Sequence, residues 1–190
     1  VTSLNAVKAS PSAGISTAFL IFGGVPPATG DVNTFEWNGS AWAEKADMNQ
    51  AKRNLAGFGL YTAAIAAGGE TPSVTANTES YNGTSWTEVN EMNTARRALA
   101  GSGSTTAGLV YGGITTESWN GASWTEVNDL GTAISTNGGT GTGNTLALSF
   151  GGESPITTAT EEFSFPSSPI LTEGMLFLSA GTTLKGFGKA

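Results

Sequence analysis

Tyr81-Asn82-Gly83-Thr84-Ser85-Trp86-Thr87-Glu88-Val89 reads as two short strands joined by a turn. Asn-Gly accepts positive φ, which closes a tight hairpin. The flanking residues alternate between aromatic or branched and polar, the pattern of a half-buried strand. The same recipe stands at Trp37-Asn38-Gly39-Ser40-Ala41-Trp42 and at Trp119-Asn120-Gly121-Ala122-Ser123-Trp124. Each copy carries a Glu two residues after its second aromatic: Glu44, Glu88 and Glu126.

Moving outward, an apolar run ending in a double glycine precedes each hairpin. The pairs are Gly23-Gly24, Gly68-Gly69 and Gly112-Gly113, with a fourth at Gly151-Gly152. A double glycine lets the backbone approach a neighbour closely and leave the strand sharply. A third block, Met48-Asn49-Gln50-Ala51-Lys52-Arg53, returns as Met92-Asn93-Thr94-Ala95-Arg96-Arg97. Weaker copies start at Leu4 and Leu130. The first glycines of the pairs are spaced by 45, 44 and 39 residues. That period suits a four-stranded propeller blade of roughly 40–50 residues.

Each unit is therefore expected to hold four strands, a to d. Strand a is the small-residue run at 53–59 or 97–103, and strand b is the apolar run into the double glycine. Strand c covers 34–37, 78–81, 116–119 or 160–163, and strand d begins at Trp42, Trp86 or Trp124. Small residues in strand a fit a crowded inner strand beside a propeller axis. Trp42, Trp86 and Trp124 are expected to fill the space between blades, with Trp37, Tyr81 and Trp119 as the aromatics of strand c. The expected fold is all-β: a propeller-like array of about four four-stranded blades over residues 1–165, in units of about 4–47, 48–91, 92–129 and 130–165. The first unit reads as starting partway through strand a, and the fourth lacks an Asn-Gly-x-x-Trp hairpin after Phe163. Pro166-Ser167-Ser168-Pro169 opens a linker, and the alternation to 188 predicts a C-terminal β-hairpin within 166–190. Such an array is expected to close through its own termini or to shield its edges in an assembly.

The double glycine, the following aromatic, the Trp and the Arg near the start of the next unit resemble the Kelch motif over about residues 4–165. The chain departs from that motif in a shorter aromatic-to-Trp spacing and in Phe35, which stands where other units have Glu79, Glu117 and Glu161. The tail hairpin and the Asn-Gly-Thr-Ser-Trp-Thr-Glu-Val-Asn repeats resemble virion and tail-fibre proteins of bacteriophages, marine and cyanobacterial phages among them. The resemblance implies a non-enzymatic virion structural or host-attachment module, on a virion or otherwise extracellular. Its implied partners are other virion proteins, further copies of itself, and host surface polysaccharide. The alternative it leaves open is a cellular Kelch-like protein-interaction scaffold.

Composition narrows the chemistry. Charged residues make up 12% of the chain, so its solvent faces rest on neutral Thr, Ser and Asn. Eight Lys and Arg against a net charge of −7 argue against nucleic acid and anionic membranes, which need dense cations. No apolar run reaches the ~18 residues of a membrane-spanning helix. With no His and no Cys, the usual zinc, copper and haem ligand sets are missing, including the copper site of galactose-oxidase-type propellers. No metal and no cofactor are expected. The run Gly138-Gly139-Thr140-Gly141 lacks the following Lys and helix of a phosphate cradle. The start Val1-Thr2-Ser3-Leu4 has no leader pattern, and the chain reads as a piece of a longer polypeptide.

Glu79, Glu117 and Glu161 are repeat-equivalent, which argues against an acid/base pair, since that needs two carboxylates in unlike surroundings. They are expected to face solvent or to pair with Arg53, Arg96 or Arg97. No catalytic residue is expected. Binding is expected on the loops between strands b and c, which vary most between units. Their polar residues Asp31, Asn33, Glu70, Ser73, Asn77, Glu153 and Ser154 are the candidates.

Overall fold

The computed structural model describes residues 10–25, 30–135, 138–152 and 160–164, together with the backbone of two short strands at 176–178 and 184–186. The first sheet is β1 (Ser12–Ile15), β2 (Ala18–Phe22), β3 (Thr34–Trp37) and β4 (Trp42–Lys45), antiparallel and in chain order. The second holds β5 (Ala56–Leu60) and β6 (Ala63–Ala67). A two-residue ribbon follows, β7 (Glu70–Thr71) with β8 (Ser73–Val74), and then β9 (Thr78–Tyr81) and β10 (Trp86–Val89) complete the sheet. The third is β11 (Ala100–Ser104), β12 (Ala107–Tyr111), β13 (Thr116–Trp119) and β14 (Trp124–Val127). The fourth has three strands among the described residues, β15 (Gly138–Gly141), β16 (Leu146–Phe150) and β17 (Thr160–Ser164). A separate hairpin pairs β18 (Leu176–Leu178) with β19 (Leu184–Gly186).

The four sheets are the blades of a four-bladed β-propeller. Their first strands pack side by side in the series β1, β5, β11, β15 and line one axial channel, a cavity of about 240 Å³. Glycine is required there. Gly14, Gly59 and Gly103 hold φ of 133°, 110° and 109°, and a Cβ at each would collide with the carbonyl of Ala18, Ala63 or Ala107 across the ladder.

Among the described residues the core lies between blades, as three clusters rather than one. At each junction a large ring from one blade enters a hole made by small residues of the next. Phe22 sits over Gly57, Phe58 over Gly101 and Gly108, and Tyr111 over Gly139. Trp86 and Trp124 complete the first two junctions, edge-on to Phe22 (4.9 Å) and to Phe58 (6.4 Å). The Trp86 indole N–H donates to Thr34 Oγ1 of the preceding blade (3.0 Å). Trp42 is only half-buried and packs on Phe19 and Trp37 of its own blade.

Three local expectations are corrected by the backbone. First, the Asn-Gly turn has positive φ at Gly39, Gly83 and Gly121 alone. Asn contributes its side chain instead: Asn82 Oδ1 accepts from the Thr84 and Ser85 N–H groups at 2.9 Å each, as Asn38 and Asn120 do in their turns. Second, the inner strands begin three residues later than the small-residue run, at Ala56 and Ala100, because Asn54 (φ 55°) and Ala98 (φ 58°) break the extended backbone. Third, the first unit does not start inside its inner strand, since β1 is present and pairs along its length with β2.

Ala98 is held in this unfavourable region by its N–H, which donates to the Asn54 carbonyl of the preceding junction (2.8 Å). A left-handed L-residue costs roughly 1–2 kcal/mol, and Gly returns part of that as unfolded-state entropy. Ala98→Gly is therefore expected to stabilise the protein by about 0.5–1 kcal/mol in urea unfolding.

Candidate functional site

Antiparallel order puts the loops between second and third strands at the same end of the propeller as the links from one blade to the next. Each link is zipped to the loop of the blade it leaves. The Met48 N–H donates to the Val32 carbonyl (2.9 Å), Met92 to Ala76 (3.0 Å) and Leu130 to Ile114 (2.8 Å). Farther along, the carbonyls of Lys52, Arg96 and Ile134 accept from Gly24 (2.8 Å), Gly69 (2.8 Å) and Gly113 (2.7 Å).

The repeat-equivalent carboxylates clamp these links. Glu79, fully buried, accepts from the Asn49 N–H (2.7 Å), the Asn49 amide (2.9 Å), the Gln50 N–H (3.2 Å) and the Lys52 ammonium (3.1 Å). Glu117 does the same for Asn93, Thr94 and Arg96, the Arg96 contact being 2.9 Å. Glu161 accepts from the Gly131 N–H (2.6 Å) and Thr132 N–H (2.8 Å), with buried Ile134 in the cation's place. Of the expected roles, pairing with Arg96 is found at Glu117, while the solvent-facing role and the pairing with Arg53 or Arg97 are corrected: Glu79 takes Lys52, and both Arg53 and Arg97 go elsewhere. Burial pulls the Lys52 ammonium below its ordinary pKa, and the Glu79 charge opposes that. Glu44, Glu88 and Glu126 stay exposed.

Arg53 and Arg97 meet at Glu70, the first residue after its double glycine. The Glu70 carboxylate accepts from Arg53 Nε (2.9 Å), Arg97 Nη1 (2.6 Å) and Asn54 Nδ2 (3.1 Å). One carboxylate thereby ties the link before the second blade to the link before the third. Burial alone would raise the Glu70 pKa, but the Arg97 and Asn54 hydrogen bonds and the two guanidinium charges together hold it below its usual value. A depressed carboxylate adds stability that is complete above its unfolded-state pKa and is lost as pH falls through the folded-state value. Glu70→Gln is therefore expected to lower stability at pH 7 and to flatten its decline below pH 4.5. Urea midpoints from pH 7 to pH 2 measure both.

The other loop candidates divide by burial. Asp31 is buried, and its Oδ1 accepts from the Val32 (2.8 Å) and Asn33 (3.3 Å) N–H groups. Asn77 is buried as well, donating to Glu88 (3.2 Å), while its carbonyl accepts from Lys52 Nζ (3.4 Å). Asn33 is half-buried and Ser73, in the β7–β8 ribbon, is exposed. Glu153 and Ser154 lie outside the described residues. Asp31, Glu70 and Asn77 thus brace the loops with their side chains.

The open feature of this end is the channel mouth, a cavity of about 370 Å³. Ser10, Ser12 and Asn54 border it, with Leu55, Ala98 and Leu99. Sequence reading passed over these residues as site builders. Their signal was the recurrence of the Met-Asn-x-Ala-cation-cation block immediately before each inner strand.

No family model matches the chain, and no curated protein matches it. Among the described residues, no group of three or more Asp or Glu is placed to hold a metal ion. No helix among them is long and apolar enough to cross a membrane.

Proposed function

We propose that this chain is a non-enzymatic virion structural or host-attachment module built from Kelch-type units, which holds neutral host-surface glycans at the loop end of the propeller. The channel mouth carries the reading. It is a concave site of about 370 Å³ offering hydroxyl and amide groups from Ser10, Ser12 and Asn54 beside the apolar Leu55 and Leu99. Uncharged sugars are bound by that mixture of neutral hydrogen-bonding groups and apolar surface. The bracing of Glu70, Glu79, Glu117 and Glu161 by N–H groups and cations supports the non-enzymatic part, since each carboxylate is already engaged in holding a loop.

The test is a glycan array followed by titration of any binding sugar into the Asn54→Ala and Ser12→Ala variants. Binding of neutral polysaccharide that weakens at least tenfold in these variants is the expected result. Silence on the array and on intact host cells would remove the attachment role and leave the virion scaffold. Binding to a soluble cellular protein instead would favour the Kelch-like interaction scaffold.

A further inference from the structure

At the channel mouth several hydrogen-bond donors are already engaged inside the protein. The Ser10 hydroxyl donates to the Gly23 carbonyl (2.7 Å), so its lone pairs are what it has left to offer. The Asn54 carboxamide donates from Nδ2 to Glu70 Oε1 (3.1 Å). Pro11 has no N–H, and the Ala98 N–H is given to the Asn54 carbonyl (2.8 Å). Ser12 is exposed, and its hydroxyl can turn to donate or accept. Among the described residues no cation lines this cavity.

What stands behind Asn54 fixes its orientation. Glu70 also accepts from Arg53 Nε and Arg97 Nη1, and a carboxylate held between two guanidiniums is ionised and only accepts. Those two cations are the charged groups that act on it. Asn54 therefore turns its NH2 to Glu70, and Oδ1 is the end of the amide left for a ligand. Glu70 is itself held in place. Its N–H donates to the Arg53 carbonyl (3.0 Å), and its carbonyl accepts from the Arg53 N–H (3.2 Å). Arg53 adjoins Asn54 in sequence, so carboxylate and carboxamide share one short frame.

We propose that the mouth selects sugars by their free hydroxyls, read as hydrogen-bond donors, and that Glu70 is the positioning residue that sets this preference through Asn54. The proposal rests on the glycan reading above and adds the chemistry of the group recognised. A free hydroxyl donates to Asn54 Oδ1 or to the Ser10 oxygen. An O-methyl or O-acetyl group brings no proton and leaves those oxygens without a partner. A site built to hydrogen-bond a hydroxyl rejects the analogue that lacks it. A sulfated or carboxylated sugar turns acceptors towards acceptors, and no lining cation answers its charge. The ligand class is thus neutral glycans with unmodified hydroxyls.

The test titrates the intact protein with the neutral polysaccharides of the array, dextran, mannan and galactan among them, each beside its O-methylated and sulfated forms. A polysaccharide that binds is expected to lose about tenfold or more in affinity on O-methylation. That ratio should fall towards one in Glu70→Ala, where the freed carboxamide can present its NH2. It should also fall in Asn54→Ala, which keeps the Glu70 ion pairs. Nuclear magnetic resonance of the free protein gives a readout that needs no sugar. The Asn54 side-chain N–H protons are expected to exchange with water more slowly than those of Asn82, whose carboxamide is engaged through Oδ1, and to lose that protection in Glu70→Ala. Equal binding of a polysaccharide and its O-methylated form would overturn the proposal and leave the glycan reading standing. A ratio unchanged in both variants, or equal exchange at Asn54 and Asn82, would overturn the role of Glu70. Silence across the whole array would overturn proposal and glycan reading together.

Discussion

Glu79→Ala is expected to lower the unfolding free energy by about 3–5 kcal/mol, the usual cost of leaving a buried charge without its partner. Lys52 is fully buried beside Glu79, and the same carboxylate holds two backbone N–H groups of the link. Lys52→Met should cost less, because the third junction already accepts an apolar residue there, Ile134. The order of the two variants separates a clamp on the backbone from a simple ion pair. Equal losses would show that the pair alone matters. The pH dependence has a definite sign. Burial lowers the folded-state pKa of Lys52, so the unfolded chain binds the extra proton, and stability rises as pH climbs through that lowered value toward 10.5. Removing Glu79 takes away the charge that opposes this shift. The deficit of Glu79→Ala should therefore shrink as urea midpoints are followed from pH 7 toward pH 10.5.

The second large effect is expected at Phe58. Its ring enters the hole above Gly101 and Gly108 and meets Trp124 edge-on, so Phe58→Ala should cost about 3–5 kcal/mol. Gly108→Ala should also destabilise, by about 1–3 kcal/mol, because the new methyl overlaps the Phe58 ring, which is buried against Trp124 and also lies close over Gly101. In the Phe58→Ala background the same methyl lies in the cavity and should be neutral or stabilising. A double-mutant cycle in urea measures the coupling, expected at about 1–3 kcal/mol. A cycle that closes to zero would mean that the two residues do not form one knob and hole.

The outer strands were readable because their signals are local. Thr34, Thr78, Thr116 and Thr160 start the third strands and Trp42, Trp86 and Trp124 start the fourth, as the alternation and the turn residues indicated. The inner strands were read three residues too early. Nothing in Ala98 announces a positive φ, which a hydrogen bond from another blade imposes. The Arg96 pairing of Glu117 was among the expectations, but the hold of Glu79 and Glu117 on the link backbone was missed for a related reason. A Glu in an alternating strand reads as solvent-facing, and only the fold brings the link over it. At the candidate site, variation between units pointed to the loop end, but the residues bordering the channel mouth stand at the link ends and the starts of the inner strands. Their meeting depends on closing a circle, which no local pattern encodes.

Phe22 and Tyr111 project from equivalent places on second strands and sit over the equivalent glycines Gly57 and Gly139, whereas Phe58 projects from a first strand and sits over Gly108 as well as Gly101. The second unit thus carries a different key on the shared backbone. Tandem repeats risk docking on the wrong neighbour while they fold. Phe58 placed against the last blade would meet Ala147, which stands where the third blade has Gly108. The middle junction is thus proofread by shape, and an order that seats the second unit against the last should be rejected even though its strands would form normally.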